Sequence, residues 1–168
     1  MENLRSSQIR RYMKEQKCLF GGDFMEENVR KLLSSLSWNR PIEEQSMAVE
    51  KLINLKEFFE GLITQTSKDQ WDNCMKIINE MEYHDQVRMI PQMLFLLKDM
   101  NWPGASEAYN LMLKMKVEDL TPYIIQAIEM ADDTCDTNWI TWMKMFLEEL
   151  NLTNIIEDNP EIFKQAEW

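Results

Sequence analysis

Residues 91–115 read PQMLFLLKDMNWPGASEAYNLMLKM, and their apolar spacing predicts two helices joined by a tight corner. Pro91 and Pro103 each suit the first turn of a helix, where the fixed φ of proline helps and its missing N–H needs no partner. Residues 99–102, which include Asn101 and Trp102, then form the corner. This stretch therefore predicts a helical hairpin.

The same pattern occurs earlier in the chain, where LLSSLSWNRP at residues 32–41 matches LLKDMNWP at residues 96–103. In both stretches a helix ends, a polar residue precedes a tryptophan, and a proline starts the next helix. Trp38 and Pro41 are the tryptophan and the proline of the earlier stretch. The corner is thus predicted to be a repeated element.

A second match follows in the same order, between WDNCMKII at residues 71–78 and WITWMKMF at residues 139–146. Ordered self-similarity is typical of stacked helical repeats. We therefore predict an all-α fold: a right-handed stack of antiparallel helical hairpins, or HEAT-like α-solenoid, with two tandem four-helix units. The predicted parts of this single domain are an N-terminal basic helix (1–22), the first unit (24–81), the second unit (87–150) and a C-terminal cap (151–168).

Helix boundaries are predicted from the same periodicity. Ser67 and Gln70 have the spacing of a capping box and predict a helix start, whereas residues 83–85 are predicted to be the junction between the copies. The C-terminal tail is predicted to fold over the last long helix. The other predicted helices are 24–36, 41–54, 56–65, one from Pro91, one from Thr121-Pro122, and 137–150.

Residues 130–138 are predicted to form an acidic loop that is longer than its counterpart at residues 66–70. Insertions in stacked repeats lie in loops on one face, which is often the binding face. A tolerated surface insertion is the alternative. The loop resembles a calcium loop in its oxygen side chains, but Thr137 and Met143 stand where that loop needs glycine and glutamate. The sequence therefore predicts no metal site.

Composition favours one folded domain. The 168 residues include four glycines and five prolines, and no apolar run is long enough to cross a bilayer. The polar N-terminus lacks the apolar core of a signal peptide, so we expect a soluble cytoplasmic protein. Three scattered cysteines argue against disulfides and structural zinc, and Cys74 is expected to be a small buried residue.

The formal charge is −11, although residues 1–17 are basic. An acidic surface repels nucleic acid and attracts a basic partner, or it serves only solubility. The basic N-terminal helix is expected to dock on the acidic body or to cap the stack, with binding to anionic lipid as the alternative.

No catalytic or cofactor-binding signature is present. His84, the single histidine, has no nucleophile near it in sequence, and adjacent acids diverge on a helix. The repeat tryptophans Trp38, Trp71, Trp102 and Trp139 are expected in the core. Trp142 is expected to be partly exposed or at a contact, because its counterpart is the smaller Cys74.

The motif DMNWP at residues 99–103, with PQML at 91–94 and PYI at 122–124, resembles a small bacterial family of unknown function built from HEAT-like helical hairpins. The resemblance covers about residues 89–150, and SWNRP at residues 37–41 extends it faintly upstream. It implies a fold but no established activity. Members are similar to proteins encoded beside bacterial toxin genes, which implies an immunity role for some.

These features together predict a non-enzymatic module that binds another, basic protein and neither nucleic acid nor a membrane, with a basic toxin domain as the partner that the resemblance suggests. Asp132, Asp133 and Asp136 are predicted to steer that partner, and Trp139 and Trp142 to anchor it. Self-association through the last long helix is an alternative. A HEAT-like nucleic-acid enzyme is another alternative, and such an enzyme needs a basic groove with stacking aromatics.

Overall fold

A computed structural model describes residues 27–55 and 61–166 of the chain. These residues form nine α-helices and one 3-10 turn, Lys68–Gln70, and they contain no β-strand, so the predicted all-α class is confirmed. The chain divides into two units, residues 1–31 and 32–168, and every contact reported below lies within the second. The helices are α1 (Glu27–Ser34), α2 (Ile42–Leu55), α3 (Trp71–Asn79), α4 (Tyr83–Leu96), α5 (Ala105–Met112), α6 (Val117–Asp133), α7 (Thr137–Glu149), α8 (Thr153–Asp158) and α9 (Pro160–Phe163).

Each long helix buries one apolar stripe, because residues three and four apart share a face. The helix predicted at residues 137–150 is α7, with nearly the predicted bounds. In α4 and α6 the stripe continues on both sides of a proline. The buried residues of these two helices are Met89, Ile90, Met93, Leu94 and Leu96 in α4, and Leu120, Ile124, Ala127, Ile128 and Ala131 in α6.

Pro91 and Pro122 therefore lie inside α4 and α6, and the helix starts predicted at these prolines are wrong. Residues 83–85, predicted to be a junction, belong to the first turn of α4. A proline inside a helix removes one backbone hydrogen bond. Burial of apolar residues before and after each proline outweighs that loss.

The predicted corner between α4 and α5 is present. The carbonyl of Asp99 accepts a hydrogen bond from the Trp102 N–H at 2.9 Å. The Asp99 carboxylate accepts the backbone N–H and the side-chain amide of Asn101 at 2.9 and 3.0 Å. Gly104 then takes a left-handed φ of 78°. Helix α5 begins only after that residue, so Pro103 precedes the helix instead of occupying its first turn.

The long acidic loop predicted at residues 130–138 is not formed. Helix α6 continues to Asp133 and α7 begins at Thr137, which leaves residues 134–136 as the connection. Ala131 is fully buried and completes the apolar stripe of α6. Its burial favours a continued helix over a loop.

Two predictions concern the segment before α3. Gln70 Oε1 accepts a hydrogen bond from the Ser67 N–H at 2.9 Å, as a capping box requires, but this box opens the 3-10 turn that leads into α3. Residues 61–65, predicted to be helical, form turns. The remainder of that predicted helix, residues 56–60, and the predicted helix at residues 1–22 lie outside the described residues.

Helix α7 is packed on two sides. It contacts α6 along one side, and the short helices α8 and α9 pack on it as well. Ile155 of α8 and Phe163 of α9 are buried. The prediction that the C-terminal tail folds over the last long helix is therefore confirmed for these two helices.

Candidate partner-binding surface

The first corner, residues 37–41, holds Trp38 by its backbone. The Trp38 N–H donates to the Asp69 carbonyl at 2.9 Å, and the Arg40 N–H donates to the Ser37 carbonyl at 3.0 Å. Trp38 is nevertheless 53% exposed. The prediction that Trp38 belongs to the core is therefore wrong, and the corner presents this side chain to solvent.

A carboxylate is fixed beside the same corner. Asp69 Oδ1 accepts a hydrogen bond from the Ser67 hydroxyl at 2.6 Å. Hydrogen bonds from Ser37 and then from Ser67, with a further one from Asn39, hold the pKa of Asp69 below its usual value. Asp69 is therefore ionised at neutral pH, and it is bound by the residues on either side of Trp38.

The second corner is covered by side chains that precede it in the chain. The Trp102 ring lies 5.4 Å from Trp71 and 5.6 Å from Phe95, measured between ring centroids. Lys68 Nζ lies 4.0 Å from the Trp102 centroid, which is within the range of a cation–π contact. Trp102 is half-buried and Trp71 is buried, so the two corners have matching sequences but different environments.

Matching side-chain amides support both corners. Gln70 and Asn138 each stand immediately before a repeat tryptophan. Gln70 donates to the carbonyl of Leu33, and Asn138 donates to the carbonyl of Lys98. Each of these carbonyls lies near the end of the helix that precedes a corner, where backbone acceptors lack the usual helical partner four residues on. The Leu33 carbonyl also accepts the Leu36 N–H at 3.1 Å. Sequence reasoning missed this pair, although their equal position before the tryptophan was visible.

The two tryptophans that follow these amides form equivalent hydrogen bonds. The indole N–H of Trp71 donates to the Ile63 carbonyl, and that of Trp139 donates to the Leu94 carbonyl, both at 3.0 Å. Both side chains are buried. The prediction that they belong to the core is confirmed. Because Trp139 is only 2% exposed, it is not accessible as the partner anchor that the sequence predicted.

The predicted acidic residues are brought to the α6–α7 connection but have different contacts. Asp132 accepts a hydrogen bond from the Gln165 amide at 2.8 Å. Asp136 caps α7 and forms an ion pair with Lys98 at 3.2 Å. Asp133 is exposed. Two of the three carboxylates are thus engaged in tertiary contacts, and Asp133 has the exposure that a partner contact requires.

Trp142 is half-buried on α7, close to the exposure that the sequence predicted. Its counterpart Cys74 is fully buried beside the Thr66 hydroxyl, at an S–O distance of 3.6 Å. Burial raises the pKa of the Cys74 thiol to about 12. A thiol with that pKa stays protonated and unreactive at neutral pH, in agreement with its predicted packing role.

The strongest charge signal lies outside the predicted loop. Residues 117–163, which form α6 to α9, carry eleven carboxylates and a single base, Lys144. On α6 the outward face includes Glu118, Ile125, Glu129 and Asp133, all of them exposed. Counting charge over this whole range would have found the feature. The sequence reasoning instead concentrated on three residues of one connection.

Other titratable groups have structural neighbours. His84 is exposed in the first turn of α4, 3.3 Å from Asp85. Tyr109 donates to Glu149 Oε2 at 2.6 Å, and burial together with that bond raises the pKa of its phenol. Within residues 27–55 and 61–166, no three His, Cys, Asp or Glu side chains are grouped to hold a metal ion.

Comparisons of the chain with protein-family models, curated proteins and solved structures found no match. The resemblance to a bacterial family thus stays a prediction. In the part of the chain that the structure describes, no helix is both long enough and apolar enough to cross a membrane.

Proposed function

We propose that this chain is a non-enzymatic protein-binding module, built as a stack of helical hairpins, and that its partner is a basic protein. The proposal rests on two features. The first is the order of contacts between helices, and the second is the distribution of carboxylates.

Contacts between neighbours in the chain support a hairpin stack. Helix α3 contacts α4 and α5, and helix α4 contacts α5 and α6. Between α5 and α7, the rings of Tyr109 and Phe146 lie 5.1 Å apart. In stacked repeats each structural repeat contacts only its neighbours. This pattern favours the solenoid arrangement that the repeat predicts.

The observation that carries the function is the acidic outer face of α6. This helix contains no Lys, Arg or His, and its exposed Glu118, Glu129 and Asp133 share one face with the exposed Ile125. Like charges on one helix destabilise it slightly, and Asp133 lies at the helix end where the macrodipole favours cations. A basic partner would relieve both effects. It would also be attracted over long range and would cover the apolar side chain at the centre of the face.

Neutralisation of a toxin domain is the specific form of this function that the family resemblance suggests. A basic toxin domain has the charge that the α6 face attracts. The resemblance alone supports this specific partner, whereas the α6 carboxylates support any basic protein.

The test is affinity capture from the source cell's lysate with three versions of the full chain. The first is the wild type. The second carries Glu118→Gln, Glu129→Gln and Asp133→Asn on the α6 face. The third is a control with the same change in net charge, Glu50→Gln, Glu80→Gln and Glu107→Gln, at exposed positions on other elements.

We expect one basic protein to bind the wild type and the control at low salt. The α6 variant should bind it about tenfold more weakly, because three exposed charge pairs contribute about 0.2–1 kcal/mol each. Equal weakening in both variants would show that only net charge matters and would refute a site on α6. Capture of the chain alone would instead favour self-association.

A further inference from the structure

The repeat tryptophans differ in what covers their rings. Lys68 Nζ lies 4.0 Å from the ring centroid of Trp102, and Lys98 Nζ lies 4.4 Å from that of Trp139. Trp38 is the counterpart of Trp102 in the repeated corner. Among the described residues no lysine or arginine forms a cation–π contact with Trp38, and the residue is 53% exposed.

The exposed indole is held on an ordered corner. Besides the bond from the Trp38 N–H to Asp69, the Arg40 carbonyl accepts a hydrogen bond from the Gln45 amide at 2.8 Å. Gln45 is buried and accepts in turn from the Asn73 amide at 2.8 Å. The backbone around Trp38 is therefore fixed before any ligand arrives. Exposed tryptophans on fixed backbone are typical interface anchors, because little further entropy is lost when they bind.

The contacts of Lys98 with Trp139 and Asp136 indicate which chemical group would bind at the Trp38 corner. Lys98 is held by the Trp139 ring and, through its Nζ, by Asp136 at 3.2 Å. The first corner has the same two components, an indole and a carboxylate. The carboxylate is Asp69, whose backbone carbonyl accepts the Trp38 N–H at 2.9 Å and whose Oδ1 accepts the Ser67 hydroxyl at 2.6 Å. Arg40 belongs to the same corner, but no lysine or arginine within residues 27–55 and 61–166 forms a cation–π contact with the Trp38 ring.

We infer that the Trp38 corner is a docking site for a cationic side chain, a lysine or an arginine, of a protein partner. The cation lies over the indole and beside Asp69, and Ile42, which is 61% exposed, provides the apolar rim. This site goes beyond the α6 face, and it does not depend on the α6 carboxylates. A second copy stacked head to tail is disfavoured as the occupant, because α8 and α9 already cover α7 at the other end of the repeats.

The test uses the immobilised full chain and a displayed library of short random peptides. Selection on the wild type is followed by counter-selection on Trp38→Ala, and synthetic peptides are then measured by fluorescence anisotropy. Met47→Ala is the matched control, because Met47 is 54% exposed on α2 and lies away from the corner turn. Circular dichroism establishes that each variant is folded.

We expect the selected peptides to contain a lysine or arginine next to an apolar residue. They should bind Met47→Ala like the wild type and Trp38→Ala at least tenfold more weakly, as the loss of a desolvated cation–π contact requires. Arg40→Gln should strengthen binding by about two- to fivefold, because it removes an exposed like charge from the same corner.

Weaker binding to Arg40→Gln would indicate an acidic ligand and would overturn the inference. Peptides without basic residues, or peptides that do not distinguish Trp38→Ala, would also overturn it. So would self-association that Trp38→Ala abolishes in sedimentation velocity. If the lysate partner is lost from the α6 variant while no peptide depends on Trp38, the inference fails and the proposed function stands.

Discussion

Substitution of Gly104 by alanine should destabilise the fold more than any ordinary surface change, because the second corner approaches α3 closely there. A Cβ on Gly104 would lie 2.8 Å from Met75 Cγ and 3.0 Å from the Trp71 carbonyl oxygen. The carbonyl belongs to the backbone of α3 and cannot rotate away. The φ of 78° adds a second cost, since left-handed backbone is unfavourable for alanine.

The magnitude follows from these two terms. Left-handed backbone costs alanine about 1–2 kcal/mol, and overpacking a filled site costs about 1–3 kcal/mol. Gly104→Ala should therefore lower the free energy of unfolding by about 2–5 kcal/mol. For a chain of this size that corresponds to a fall in Tm on the order of 10 °C. Urea unfolding followed by circular dichroism would measure the change.

Gly61→Ala is the matched control. Gly61 has a φ of 79°, and a Cβ there would meet only the end of the flexible Gln65 side chain. The control should lose about 1–2 kcal/mol, the backbone cost alone. The entropy that alanine removes from the unfolded chain is the same in both variants and cancels. If the two losses agree within about 0.5 kcal/mol, the close approach of the corner to α3 does not exist as described.

Two further substitutions test the interior. Asn73→Ala leaves the Leu36 carbonyl and the Gln45 side-chain oxygen without their donor. It should lower the free energy of unfolding, measured with urea, by about 2–4 kcal/mol. A decrease below about 1 kcal/mol would show that water replaces the amide. The raised pKa of Cys74 predicts alkaline destabilisation, because above its usual pKa of 9.0 the unfolded thiol ionises while the folded one, at about 12, does not. The free energy of unfolding should fall with pH above about 9 more steeply in the wild type than in Cys74→Ala, by up to about 1.4 kcal/mol per pH unit, and parallel curves would contradict the assignment.

Local features of the sequence predicted a large part of the fold. The apolar spacing of α7, the capping box at Ser67 and the corner at residues 99–102 all depend on residues close together in the chain. Propensity, capping and periodicity act over that same range. For this reason the all-α class and these elements are recognisable without a structure.

The errors occurred where a local preference was weaker than a distant contact. The local pattern predicts helix starts at Pro91 and Pro122, but α4 and α6 continue through these prolines because apolar residues on both sides of each are buried. Ala131 similarly extends α6 into the predicted loop. In each case the energy comes from side chains on other helices, which a local pattern does not contain.

In the candidate sites, too, some features follow from the sequence and others depend on distant contacts. The sequence by itself determined the number of carboxylates, the two Trp-Pro corners and the helical pattern between them. Only the tertiary structure decided that Asp136 pairs with Lys98 and that Lys68 covers Trp102 while Trp38 is exposed. Composition is a property of the chain alone, but the exposure of a side chain depends on which distant segments pack against it.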